Sequence, residues 1–452
     1  MKYYNLNLSN IVFVLLSTST IFILIYNIYH YTPILGYDAE AHFSYVDYLS
    51  RYLPKELKLP SQDETREFFN PPFGYLFPSF VQVFCRNLIE SSNLLTDCQP
   101  IYGKATQIFQ SFLYIVTIFI NLFTLKVITK SKNIFDVGYL VLISLLAVNY
   151  RTISMIRGEP YILFFLSLFL LAILKVEDRD YDLSFKQILF TGGIIACIAL
   201  SRQWGFLLFI PLIFLLFSRK SKKNYLIFWS SSSFIGALFS SWFYIGLYQN
   251  YGSFTAFNME SNSFSFSNQN ISFYLPNLSQ LEFLFKKPIR PNLDNQFFSI
   301  IYSDLWGDYW GYFTFTSRFL NIGRNQLMIG DYLARVNIVS IFSTIIIVYF
   351  CFLSYKKYKS IFLVQYIHYA WIFSFIGYLI FAIMYPTPSG DTIKSTYIIQ
   401  AFHLMVFLAS IYLHDLKRLN KKIYNGILLT LIVIYVHNFQ SYLSHFPISF
   451  YP

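Results

Sequence analysis

Apolar residues along this chain gather in blocks of about 17–24, separated by shorter polar stretches. A block of that length crosses a hydrocarbon core as a helix, whereas a buried core helix is usually shorter and amphipathic. The blocks lie at residues 11–31, 106–129, 134–150, 159–175, 186–201, 204–218, 225–248, 336–355, 361–385, 395–414 and 423–440. The pattern therefore predicts an all-α polytopic membrane protein with about eleven transmembrane helices. Two polar segments, residues 32–105 and 249–335, are too long for simple turns, and loops of this length are usually functional. Both are expected to carry interfacial helices, and the second, with its tract NMESNSFSFSNQNIS, to be partly irregular. The chain thus divides into a module of residues 1–248, a polar segment of 249–335 and C-terminal helices in 336–452. No repeat of 20–50 residues is visible, which removes solenoids and gives no support to repeat-built transporters.

Charge orients the spans. Lys126, Lys130 and Lys132 flank one short loop, and Arg219, Lys220, Lys222 and Lys223 fill another. Lys356, Lys357 and Lys359 mark a third; Lys417, Arg418, Lys421 and Lys422 mark a fourth. With the first span running outward, all four fall on the cytoplasmic side, as the positive-inside rule requires. The two long segments then lie outside. The opening MKYYNLNLSN imitates a signal peptide, but no small-residue cleavage site follows, so an uncleaved first span is expected.

Composition agrees. Charged residues make up 13% of the 452, against about 25% in soluble proteins. The net charge of +11 is accounted for by the cytoplasmic loops and anionic headgroups, not by nucleic acid. No Gly-rich phosphate loop, zinc-type cysteine spacing or basic-aromatic module is present. Short loops, few cysteines and compact length favour a bacterial cytoplasmic membrane.

The stretch GYDAEAHFSYVDYL follows the first span and holds Asp38, Glu40 and His42. On an interfacial helix Asp38, His42 and Tyr45 share a face, while Glu40 points roughly 200° away from Asp38. Both acids serve one site only if Asp38 lies on the turn before the helix; the plainer alternative is that Asp38 caps it. Arg157, Arg202 and Lys394 all fall at outer ends of spans, where any single charge is unremarkable. Glu159 precedes Pro160, which suits a helix start as well as a contact to an acceptor or a metal. Tyr397 follows Lys394 at the same outer end. In YSDLWGDYWGYF, Asp304 and Asp308 are four apart, as are Trp306 and Trp310; carboxylates beside aromatic faces suit carbohydrate, and an interfacial aromatic belt reads the same way. A divalent metal at the two aspartates has little support. His368 and His403 lie inside spans and read as packed residues. Cys85 and Cys98 share the first outside segment and would form a disulfide in an oxidising compartment if they meet; Cys197 and Cys351 read as small apolar residues. Asn270 and Asn277 begin N-x-S patterns.

The acid pair of DAEAH, directly after the first span, resembles the GT-C superfamily of glycosyltransferases, the group of protein O-mannosyltransferases, aminoarabinose transferases and N-glycan glucosyltransferases. NPPFGYLF (Asn70 to Phe77), RGEPYILFFLSLFLL, SRQWGFLLFIPL and GDTIKSTYIIQ follow in an order similar to that family's over roughly the first 220 residues. The resemblance loosens in the later loop, where no family motif aligns. It implies an inverting sugar transfer from a polyprenyl-phosphate donor to a lipid, glycan or protein acceptor. It implies Asp38 as general base, with Glu40 as second acid, and the cation at Arg202 near the donor phosphate. The chemistry asks for the same parts: a base for the acceptor hydroxyl, cations for the departing phosphate and an apolar groove for the lipid. Two other classes remain open. A flippase or transporter of lipid-linked saccharides would need charge near mid-membrane, which these spans almost lack. A saccharide polymerase or ligase would concentrate arginines in the late loop, where Arg290, Arg318, Arg324 and Arg335 occur.

Overall fold

The computed structural model describes residues 8–88, 94–178, 181, 183–217, 222–314 and 324–444. Arg219, Lys220 and Arg318 lie outside them. The described residues are helical throughout, joined by loops and short 3-10 turns, with no strand among them. In chain order the helices are α1 (Leu8–His30), α2 (Ala39–Tyr52), α3 (Phe73–Leu88), α4 (Leu94–Thr129), α5 (Val137–Ser144), α6 (Ala147–Ser154), α7 (Glu159–Glu177), α8 (Phe185–Ser201) and α9 (Ile210–Leu216). They continue as α10 (Lys222–Tyr251), α11 (Ile271–Tyr274), α12 (Leu278–Lys286), α13 (Phe297–Trp306), α14 (Arg324–Tyr358), α15 (Phe362–Met384), α16 (Ile399–Leu419) and α17 (Lys421–His437).

Among the described residues seven helices are long and apolar enough to cross a membrane, or eight if the bent pair α5 and α6 counts as one span. The expected block at 134–150 is that pair, bent by 64°. The break exposes carbonyls that a continuous helix would bond, and two side chains take them up. Asn149 donates its amide to the Ile143 carbonyl at 3.0 Å, and the Tyr150 hydroxyl donates to Ser144 at 3.1 Å. The remaining expected blocks fold as shorter helices: Phe185–Ser201, Gln203–Leu216 and Lys421–His437.

Helix α16 is the axis of the molecule. Its residues from Ile399 to Ile411 are all buried, and it packs against α14, α15, α5, α4, α7 and α17. Lipid-length helices on the rim, α1, α10 and α14, instead leave large apolar side chains such as Leu15, Phe234 and Phe352 exposed, as a hydrocarbon solvent allows. α2 and α3 pack together over one end of the bundle, and Cys85 of α3 is disulfide-bonded to Cys98 of α4.

One backbone contact positions the chemistry at that end. Gly158 lies between α6 and α7, and a methyl group added there would overlap the Ser201 carbonyl oxygen at the end of α8. One added at Gly74 of α3 would stand 2.9 Å from the Gly158 Cα. Three chain segments therefore meet at backbone distance, which brings Arg157, Glu159 and Arg202 side by side. Gly158→Ala should cost about 1–3 kcal/mol by overpacking, read as a lower Tm of the detergent-solubilised protein. Gly193→Ala inside α8, where an added methyl meets nothing within 4 Å outside its own helix, should hold or raise the Tm. Thiol alkylation of the unfolded, unreduced protein should label only Cys197 and Cys351, and all four cysteines after reduction.

Candidate functional site

Segments from five parts of the chain converge at the end of the bundle covered by α2 and α3. Asp38 is on the turn before α2, with φ 59°, and its side chain makes no cap bond to the helix. The capping alternative therefore falls: both carboxylate oxygens are held elsewhere. Lys394 Nζ lies 2.5 Å from Oδ2, and Arg66 Nη2 lies 2.9 Å from Oδ1. Lys394 comes from the turn before α16 and Arg66 from the loop between α2 and α3. Behind this pair the Arg157 guanidinium donates to the Tyr37 carbonyl at 2.8 Å and stacks 4.4 Å from the Tyr37 ring centroid. Lys394 Nζ sits 4.6 Å from the same ring. Arg202, at the end of α8, is paired with Glu159 at 2.8 Å and donates to the carbonyl oxygen of the Asn70 side chain. Tyr397 stands between the two cations, its ring centroid 5.5 Å from Lys394 Nζ and 5.6 Å from the Arg202 head.

Burial alone would raise the Asp38 carboxyl, but the Lys394 ammonium and then the Arg157 guanidinium bring it well below the usual carboxylate range. Burial alone would lower Lys394, and the Asp38 carboxylate together with the Tyr397 and Tyr37 side chains more than offsets it, so the ammonium is held above its ordinary value. The two therefore form a charged pair. Glu67 behaves oppositely: burial, then the neighbouring Asp38 charge, pushes its carboxyl up. His42 is lowered by burial and then by Arg157 and Arg202, which leaves a neutral imidazole whose Nδ1 meets the Tyr75 hydroxyl at 2.6 Å.

Two cavities adjoin this cluster. A polar one of about 450 Å³ is lined by Tyr37, Asp38, Arg66, Glu67, Lys394 and Tyr397, together with Arg290, Trp310 and Asp391. An apolar groove of about 260 Å³ runs between Trp204, Phe206, Leu207, Phe257 and Phe381, with Arg202 and Asn70 among its lining. Phe257 belongs to both, so the groove and the polar cavity share a wall. Arg202 thus faces the groove and Lys394 the cavity, on either side of Tyr397.

Other expected residues are placed elsewhere. Glu40 is exposed and lines an outer cavity of about 370 Å³ with Asp63 and Glu64, because the first turn of α2 rotates it away from Asp38. Arg66 is the side chain common to that outer cavity and the polar one. His42 is buried behind the site. Asp304, Asp308 and Trp306 are also absent from the polar cavity; of the two aspartates and two tryptophans of that motif only Trp310 lines it, together with Tyr312. The reason is Arg151 on α6, which the spacing of charges did not single out. Arg151 Nη2 lies 2.7 Å from Asp304 Oδ1, and Nη1 lies 3.8 Å from Asp308 Oδ1. Asp304 also accepts from the Ser395 backbone at 2.8 Å, and Asp308 accepts from the backbones of Phe313 and Thr314 at 2.9 and 2.8 Å. Trp306 donates to the Thr344 hydroxyl at 3.0 Å beside a separate apolar cavity. Of the late-loop arginines described, Arg290 lines the polar cavity, whereas Arg335 lies exposed on α14, whose first residue is Arg324. His403 shares a hydrogen bond of 2.8 Å with Asn149 inside the bundle. Among the described residues no three His, Cys, Asp or Glu side chains gather as a metal centre would need.

The site residues missed in the sequence are Glu67, Arg66 and Arg151. Glu67 and Arg66 sit in a loop with Asp63 and Glu64, where nothing separates a buried acid from its solvated neighbours. The proline-aromatic motif three residues on was the available signal, since Asn70 at its head bonds both Glu67 and Arg202. The chain matches no protein-family model, and no curated protein matches it significantly.

Breaking a buried ion pair from one side leaves an unpaired charge, a loss of about 3–5 kcal/mol. Asp304→Asn should therefore lower folded yield and Tm strongly by size-exclusion and thermal-shift measurement. Asp391→Asn, on the exposed wall of the cavity, should change neither.

Proposed function

We propose that this chain is a membrane glycosyltransferase of the GT-C type. It moves a sugar from a polyprenyl-phosphate donor to an acceptor hydroxyl at the extracytoplasmic face, with inversion. On this reading the three short helices and the bent pair complete an eleven-crossing topology, with the polar cavity outside. The observation that carries it is the junction of an apolar groove with a polar cavity, flanked by Arg202 and Lys394 and holding Asp38 on the polar side. A lipid tail, a phosphate and a sugar require those three environments in that order.

In the reaction the acceptor oxygen attacks the anomeric carbon as its proton passes to Asp38. The bond from that carbon to the phosphate oxygen breaks, and its electron pair stays on the phosphate. Arg202 and Lys394 stabilise the charge that grows there, the term that such sites supply most strongly. Arg157, which has no carboxylate partner of its own among the described residues, adds positive potential from behind Tyr37. A carboxylate lowered this far is a weak base, so proton transfer comes late, after the phosphate has begun to depart. The same lowering keeps Asp38 ionised as pH falls, so an acid-side loss of rate from this group should begin only well below the ordinary carboxylate range.

Asp38→Asn should reduce transfer of labelled sugar from a purified polyprenyl-phosphate donor by about 10²–10⁴-fold while the protein still elutes as a folded species. Undiminished transfer by that folded variant would sink the assignment. Movement of the donor across vesicles with no transfer product would favour translocation instead.

A further inference from the structure

The polar cavity contains a carboxyl that the ion pairing leaves over. Glu67 is 5% exposed and lines the cavity with Asp38. Its Oε2 accepts from the Asn70 amide, a neutral donor. Among the described residues no Lys, Arg or His lies within ion-pair distance of it, whereas Asp38 has two cations and Glu159 has one. Of the cations around it, Arg202 is paired with Glu159, Lys394 and Arg66 with Asp38, and Arg157 donates to the Tyr37 carbonyl.

The groups that face Glu67 come from every element around it. Asp38 comes from the turn before α2, Arg66 from Glu67's own loop, Tyr75 from α3, Arg157 from the turn before α7, Arg202 from the end of α8, and Lys394 and Tyr397 from the segment before α16. A carboxylate buried on one neutral amide bond beside a second carboxylate is expensive, and the group then keeps its proton. A neutral carboxyl is also the one acid form that can donate a hydrogen bond.

We infer that Glu67 is a protonated carboxylic acid whose hydroxyl donates to an oxygen of the transferred sugar in the polar cavity, making it a sugar-positioning residue. This rests on the glycosyltransferase reading above. Asp38 and Glu67 thereby divide the work of two carboxyls: one stays ionised between cations and accepts a proton, the other stays neutral and donates a hydrogen bond. Burial followed by the Asp38 charge, which raises the Glu67 carboxyl, agrees with that division. Asn70 couples the two halves of the site, since it donates to Glu67 and accepts from Arg202.

The test uses full-length protein in lipid nanodiscs, with Glu67→Gln, Glu67→Ala and Asp38→Asn. Infrared spectroscopy at neutral pH should show a protonated-carboxyl band in the wild type that is lost in Glu67→Gln and kept in Asp38→Asn. A wild type without that band, or a Glu67→Gln variant that retains it, overturns the proposal whatever the activity. Transfer from a polyprenyl-phosphate sugar supplies the second readout. Glu67→Ala should lose about 10–100-fold, the worth of one hydrogen bond in a buried site, and Glu67→Gln, which still donates, should recover most of that loss. The wild-type rate should fall as pH rises through the raised carboxyl, and Glu67→Gln should lack that alkaline fall. Glu67→Gln as inactive as Glu67→Ala, with both folded, would overturn the donor role. A wild type that transfers no sugar removes the glycosyltransferase reading and the sugar contact together, while the band still reports the proton on Glu67.

Discussion

The contact between Lys394 and Asp38 joins residues 356 apart in sequence, and most of the site depends on it. Neither partner is stable alone at this position. Burial works against the ammonium and the carboxylate alike, and each holds its charge because the other is there. The pair also holds the backbone of Asp38 in the left-handed region, where a non-glycine residue sits at a cost. That conformation turns the carboxylate away from the end of α2, where it would otherwise cap the helix, and towards the cavity. α16, buried from Ile399 to Ile411, begins just after Lys394, so the loop after α1 is located against the helix at the centre of the bundle.

The same rule, that charge in a low-dielectric interior must be matched, separates residues that look alike in sequence. Asp38 and Asp304 both lie near a helix end with aromatic neighbours. Arg151 and the Ser395 backbone claim Asp304, and it becomes part of the scaffold. Asp38 is held by Arg66, half of whose side chain is in solvent, and by Lys394, which lines a cavity. A ligand can exchange partners with the second kind of pair and not with the first. Fully enclosed ion pairs therefore anchor α6, α13 and the turn before α16, and the open pair marks where chemistry is available.

Much of this was legible beforehand. The seven long apolar helices followed from apolar block length, because a long apolar block in a bilayer has no other way to satisfy its backbone. Asp38, Arg202 and Lys394 were found because charges are rare in such a chain and these recur at ends of spans on one predicted side. Pairing was not legible, since it depends on which ends meet. The contact of Gly158 with Ser201 aligns Arg202 with Glu159, and no periodicity encodes it. The break between α5 and α6 was hidden because Leu145 and Leu146 read as ordinary span; its cause is the side chains of Asn149 and Tyr150, which replace the lost backbone bonds. Glu40 and Asp38 looked like a pair because they are two residues apart, and helical rotation divides them between two cavities.

Charge bookkeeping within the cluster narrows what can bind there. Arg66, Arg157, Arg202 and Lys394 stand against Asp38 and Glu159, with Glu67 neutral on the inference above. The surplus is positive and lies largely out of water, where it attracts an anion far more strongly than a surface patch would. A free anion, though, has no use for the apolar groove that shares the Phe257 wall. A ligand that satisfies both features carries its negative charge at the junction of a hydrocarbon tail and a hydroxylated head. Tyr397, whose ring lies within 5.6 Å of both the Lys394 and the Arg202 cations, stands at that junction.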